Sequence, residues 1–212
     1  MDPIAAPVFC NIPPENPLSR RAGSFLLYSR AMEHSVRQRI LVLGVGNVLL
    51  TDEGVGIRVL KELEARYDFP PNVRLVDGGV LGLSLMGTMM EADQVIVIDA
   101  VRGGDEPGTL YLFDWDAKPE HIQYKDSLHQ IDLMETMGAL PLICEPPKVT
   151  VLGVEYQDID NWGLALTPKV EKAVEPLLKM VLNELAALGA PGNPKANPQK
   201  VQNVFGGSGQ DS

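Results

Sequence analysis

The sequence predicts an α/β fold in three layers, a central, mostly parallel five-stranded twisted sheet with helices on both faces. Three observations carry that prediction. Short apolar, branched runs recur between residues 39 and 154, and stretches of helical periodicity separate them, which is the pattern of a parallel sheet joined by crossover helices. The runs are apolar at nearly every position rather than every second one, as in strands buried on both faces. Glycines or acids stand where the first three runs end, so each strand delivers a turn or a carboxylate at its C-terminal end.

Arg39-Ile-Leu-Val-Leu-Gly44 is the first strand. It leads through Gly44 and Gly46 to two adjacent acids, Asp52 and Glu53, and then to a helix running to about Tyr67. Val59, Leu60, Leu63 and Tyr67 share one face of that helix, with Lys61, Glu62 and Arg66 on the other. Pro70-Pro71 stops it. Val73–Asp77 is the second strand, closed by Gly78-Gly79, and a Met- and Leu-rich helix follows from about Leu81 to Ala92. Gln94–Ala100 reads as a central third strand. A loop with Gly103, Gly104 and Gly108 precedes the fourth strand, Thr109–Phe113. Residues 114–126 are polar and irregular. A helix begins near Ser127 and ends by Leu140-Pro141, and Lys148–Val154 is the fifth strand. The last helix opens at Thr167-Pro168, a capping hydroxyl followed by proline at the first helical position. Its stripe is Val170, Ala173, Val174, Leu177, Leu178, Val181, Leu182 and Leu185, and Pro176 inside the stripe predicts a kink.

With 212 residues and 45% hydrophobic content, the chain suffices for one sizeable core. The expected organisation is a disordered or extension leader over residues 1–37, which carries five prolines, a single α/β domain over 38–189, and a flexible tail over 190–212. Of the formal net charge of −10, the leader and tail each contribute +1, leaving −12 on residues 38–189. Such a body repels phosphates and anionic lipid, so nucleic acid and membrane surfaces are not expected partners. No apolar run approaches the ~20 residues that span a bilayer. Cys10 and Cys144 have no metal-type spacing, which points away from a disulfide framework and toward a reducing cytoplasm.

The glycine turn first suggests a dinucleotide site. The fingerprint needs a third small residue three places after the second glycine, and Leu49 stands there. Asp52 and Glu53 also lie near the helix start, where a pyrophosphate would dock. Walker, G-x-S-x-G and H-E-x-x-H patterns are missing. What remains is a set of acids at strand ends, with Asp52/Glu53 after the first strand, Asp77 after the second and Asp99 after the third. Taken singly, each is an ordinary cap or turn former. Together they occupy one rim of a parallel sheet, where Glu53 and Asp99 are neighbours if the first and third strands are adjacent. Of the three histidines, His34 lies in the leader and His121 in a polar loop. His129 sits in Ser127-Leu-His-Gln130 at a helix start. Glu53, Asp99 and His129 would offer two carboxylates and one imidazole to a divalent transition metal such as nickel, zinc or manganese, with positions left open.

Gly44-Val-Gly-Asn-Val-Leu-Leu-Thr-Asp-Glu-Gly-Val-Gly56 resembles the signature of the nickel–iron hydrogenase maturation endopeptidases. The resemblance continues through Asp77-Gly-Gly79, Val97-Ile-Asp-Ala100, Ser127-Leu-His-Gln130, Val151-Leu-Gly-Val154 and Leu166-Thr-Pro168. It implies a cytoplasmic protease that removes a C-terminal extension from the precursor of the hydrogenase large subunit once nickel is in place. It further implies that Glu53, Asp99 and His129 contact the metal, that the nickel is carried by the substrate, and that Asp77 takes part in processing. Another divalent metal would be able to occupy the isolated protein. The sequence departs from the family pattern at Val80, where threonine is common, and at Glu155-Tyr156, where a proline usually follows. A non-catalytic nickel-sensing chaperone of the large subunit would use the same three ligands and is the alternative.

Overall fold

The structure is a computed structural model that describes residues 38–79, 85–123, 128–199 and 201, with side chains 128–132 outside the description. The described residues all belong to one unit, Gln38–Ser212.

Strand β1 (Ile40–Val45) is buried at every position, and its residues split between two cores. Ile40 and Val42 join one cluster, while Leu41, Leu43 and Val45 join the other, because successive side chains of a strand point to opposite faces. Helix α1 (Val55–Arg66) presents Val55, Val59, Leu60 and Leu63 to the first cluster. It ends one residue before the predicted Tyr67, which with Asp68 forms β2 (Tyr67–Asp68). β3 (Val73–Gly79) follows, then α2 (Met86–Met90). The predicted Leu81–Ala92 helix is thus observed over its middle, and residues 80–84 lie outside the description. β4 (Gln94–Val101) is buried beyond its first residue. β5 (Leu110–Asp114), α3 (Leu128–Ile143), β6 (Lys148–Glu155) and α4 (Pro168–Ala187) complete the main elements.

The five-stranded sheet runs in the order β3-β1-β4-β6-β5. β1 pairs parallel with both β3 and β4, β4 pairs parallel with β6, and β5 pairs antiparallel with β6. The direction of β5 follows from its short connection. Only residues 102–109 separate it from β4, too few for the crossover that a parallel strand needs, so it runs back from the rim where β4 ends.

The two clusters are the two interlayer cores. α1 and α4 cover one face, where Val170, Ala173, Val174, Leu177, Leu178, Val181 and Leu185 pack on the sheet. Met89 from α2 and Leu133, Met137 and Leu140 from α3 cover the other. The α/β, three-layer prediction therefore stands.

Three sequence expectations change. The α3 helix continues through Pro141 to Ile143; in a last turn proline forfeits one amide bond and its ring meets little further helix. Thr167 makes no side-chain cap bond to α4, because its hydroxyl is engaged elsewhere. The stretch after residue 189, read from sequence as lacking any element, folds back onto α1. Its β7 (Asn193–Pro194) pairs antiparallel with β2, and the Lys195 and Gln199 amides donate to the carbonyls of Arg66 and Ala65. Residues 202–212 lie outside the description.

Candidate active site

The C-terminal rim of the sheet is shaped by glycines that permit close backbone approach. A methyl group on Gly56 would sit 2.2 Å from the Ile98 carbonyl oxygen and 2.4 Å from that of Val45. Any side chain at Gly44 would meet the Gly56 carbonyl at 2.7 Å, and one at Gly46, whose φ is +129°, would meet the Glu53 carbonyl at 1.8 Å. The start of α1 is therefore pressed into the groove between β1 and β4. The glycines that suggest a phosphate loop serve backbone packing instead.

That packing decides where the acids go. Glu53 lies in a single 3-10 turn, Thr51–Gly54, immediately before α1, and is 3% exposed. Asp99 follows Ile98, the residue against which Gly56 is seated, and is 0% exposed. One Asp99 carboxylate oxygen accepts the Ala100 amide at 2.8 Å. Asp99 shares the strand face of Val97 and Val101, the face covered by α3. β1 and β4 are adjacent, with Gly44 opposite Ile98, so the condition for Glu53 and Asp99 to share one rim is met. His129 is the second residue of α3 and so belongs to the helix on the Asp99 face, but its side chain lies outside the described residues. Among the described residues no group of three His, Cys, Asp and Glu side chains is arranged to hold a metal.

Asp77 is placed differently. It stands opposite Gly44 on the other flank of β1, two strand spacings or about 10 Å from β4. It is exposed, and its Oδ1 accepts the Gly79 amide at 3.0 Å, the bond of an Asx turn.

Asp52, which the sequence suggests as half of an acid pair, is a buried acceptor for a different segment. Its carboxylate takes the amides of Gln157, Asp158 and Thr167 and the Thr167 hydroxyl. Glu155, read from sequence only as a departure, fixes the loop after Asp99. Its Oε2 accepts the Gly103 amide at 2.6 Å, the Gly104 amide at 3.1 Å and the Tyr111 hydroxyl at 2.6 Å. Burial, then the hydrogen bonds to Glu155 and Asp105, push the Tyr111 hydroxyl well above its usual range. A buried carboxylate needs such donors, so two glycine amides and a tyrosine facing one acid at a strand end were the available signal. A cavity of about 240 Å³ lies beside the acid turn, lined by Val48, Thr51, Gly54, Arg58 and Leu166 among others; neither Glu53 nor Asp99 lines it.

Comparison with known proteins supplies what the geometry leaves open. A family described as hydrogenase maturation protease matches residues 57–184. The Bradyrhizobium diazoefficiens protein named hydrogenase expression/formation protein HupD is 42% identical over 153 residues, 71% of this chain and 80% of its own length. The Escherichia coli hydrogenase 2 maturation protease is 40% identical over 159 residues, 74% of this chain and 96% of its own. The solved structure of the hydrogenase maturating endopeptidase HybD from E. coli superposes with a TM-score of 0.68 at 38% identity, covering 74% of this chain and 98% of that one.

Proposed function

This chain belongs to the hydrogenase maturation protease family, and from that premise we propose that it cleaves the C-terminal extension from the nickel-loaded precursor of a nickel–iron hydrogenase large subunit. That it is a protease acting in hydrogenase maturation follows from the family; the precursor, its nickel and the bond cut are the proposal. The observation that carries it is the pair of buried carboxylates, Glu53 and Asp99, delivered to one rim by the seating of Gly56 against Val45 and Ile98.

As residue types, two carboxylates and the imidazole of His129 would make a donor set suited to a borderline divalent metal such as nickel. In this reading the nickel would arrive with the substrate, and Glu53, Asp99 and His129 would be the residues that hold it. Tighter binding of loaded than of empty precursor is the physical content of such a checkpoint. Hydrolysis then requires water at the scissile carbonyl. A carboxylate takes the proton of the attacking water, the C–N bond breaks, and the proton passes to the leaving amine, giving a new carboxyl terminus and a free extension. A metal-polarised carbonyl or water would lower the same barrier. Asp77, exposed at the end of β3 beside β1, would act on the incoming segment in this reading. No helix among the described residues is long and apolar enough to cross a membrane.

The test mixes purified protein with nickel-loaded precursor and follows the precursor mass. A product shortened at one C-terminal bond is expected, with nickel-free precursor left intact. Glu53→Gln and Asp99→Asn should retain the far-UV spectrum and lose at least about 100-fold in rate, the scale on which misplaced or missing catalytic groups act. Normal processing by both variants, or binding without a shortened product, would refute the assignment; the latter is the chaperone's behaviour.

A further inference from the structure

Asp52 precedes Glu53 in sequence, yet the bonds of its carboxylate all run to one distant loop. Oδ2 accepts the Gln157 amide at 2.9 Å, the Asp158 amide at 3.0 Å and the Thr167 hydroxyl at 2.9 Å, and Oδ1 accepts the Thr167 amide at 2.6 Å. Gln157 and Asp158 leave β6, and Thr167 enters α4, so one carboxylate holds both ends of the loop. Asp52 is 0% exposed, so its carboxylate is satisfied by these four protein groups in place of water. Backbone bonds reinforce the junction. The Thr51 amide donates to Gly163 at 2.9 Å, the Gly163 amide to Leu49 at 2.9 Å and the Asp52 amide to Asp158 at 3.1 Å, while the Thr51 hydroxyl donates to the Asp158 carbonyl. Thr51 itself has φ +43°, a left-handed conformation that a β-branched residue adopts only when its surroundings enforce it. The turn carrying Glu53 thus takes a shape that Thr51 alone would not choose.

We propose that Asp52 is a positioning residue for the cleavage, its carboxylate binding both ends of loop 157–167 to turn 51–54 and so fixing the backbone that carries Glu53. The activity readout rests on the protease reading above; the exchange readout below does not.

Asp52→Asn keeps the shape and turns one acceptor into a donor facing donors. Thr167→Val removes the hydroxyl bond from a residue remote in sequence, and Thr167→Ser restores it. Measured well below each variant's melting temperature with nickel-loaded precursor, Asp52→Asn is expected to lower kcat about 100-fold with KM little changed, as a displaced catalytic group does. Thr167→Val should show a smaller fall and Thr167→Ser the wild-type kcat. Amide exchange should speed up at residues 51–54 as well as at 157, 158 and 167. Folded Asp52→Asn with wild-type kcat would overturn the proposal. If that variant does not fold, equal kcat for Thr167→Val and Thr167→Ser overturns it. If wild-type protein leaves the precursor uncut, the protease reading fails instead, and exchange still decides. Unchanged protection of residues 51–54 in Thr167→Val overturns the clamp, and faster exchange there supports it.

Discussion

At Gly56 one methyl group would collide with backbone from two strands, since the Ile98 and Val45 carbonyl oxygens lie 2.2 and 2.4 Å from the Cβ position. Neither oxygen sits at the end of a flexible side chain, and both belong to central strands whose ladders fix them. Gly56→Ala should therefore cost about 3 kcal/mol or more, at or beyond the upper end of overpacking, and should move Glu53 with the helix start. Urea denaturation checks the first effect and precursor cleavage the second; a variant of wild-type stability would show that α1 is not seated as described. The residue scale also shows where a sequence misleads. Asp52 and Glu53 are adjacent acids that composition and spacing do not tell apart, yet the carboxylate of Asp52 bonds a distant loop while Glu53 is buried in the turn before α1. The loop's donors come from residues about 105 to 115 positions away, which no local pattern reveals.

Among the elements, α4 was the most legible. Its stripe from Val170 to Leu185 repeats at helical spacing, and the buried set in the structure is that stripe with Leu182 only partly buried. Leu178 is fully buried in it, so Leu178→Ala should destabilise by about 2–5 kcal/mol, whereas Lys172→Ala on the exposed face should change stability by no more than about 0.5 kcal/mol. Equal urea midpoints would contradict the packing. The start of α4 was read less well. Thr167 has the residue type and place of a cap, but its hydroxyl turns to donate to the buried Asp52 carboxylate, a charge-assisted bond, and its oxygen accepts no helix amide as a cap would. The strands were read within a residue or two because continuous apolar runs leave little choice. β2 and β7 escaped notice because a two-residue pairing has no periodicity to read.

Over the whole molecule, electrostatics sets the response to acid. Hydrogen bonds from the Arg39 guanidinium and then its amide hold Asp93 at about 2, below its ordinary 3.8. The Asn161 side-chain amide lowers Asp158, and the Arg66 guanidinium lowers Glu175. A carboxylate whose folded value is depressed stabilises the fold above its unfolded value and loses that contribution as pH falls through the folded one. Stability should therefore decline on acidification from about pH 4 toward 2, a window set by Asp93. All three groups are exposed or nearly so, so each effect is small and weakens with salt. In Arg39→Gln, which keeps the main-chain amide bond to Asp93, the Asp93 resonance followed by NMR should titrate above about 2 and still below 3.8; an unchanged midpoint near 2 would assign the depression to a cause other than the guanidinium.

Fold class, strand and helix positions and the identity of the acids at the strand ends were set by the sequence, because burial on both faces and helical spacing are local properties of a chain. The resemblance through Gly44–Gly56 likewise named the family before any coordinates. Only the tertiary structure decided which strands are neighbours, that β1 lies between Asp77 and Asp99, and that the glycines are there for backbone contact. It also separated Asp52 from Glu53. These follow from strand order and from contacts across the chain, and hydrophobic periodicity records neither. The resemblance implied roles for Glu53, Asp99, His129 and Asp77, whereas the bonds of Asp52 to the 157–167 loop belong to the assembled chain and had no signal in the sequence.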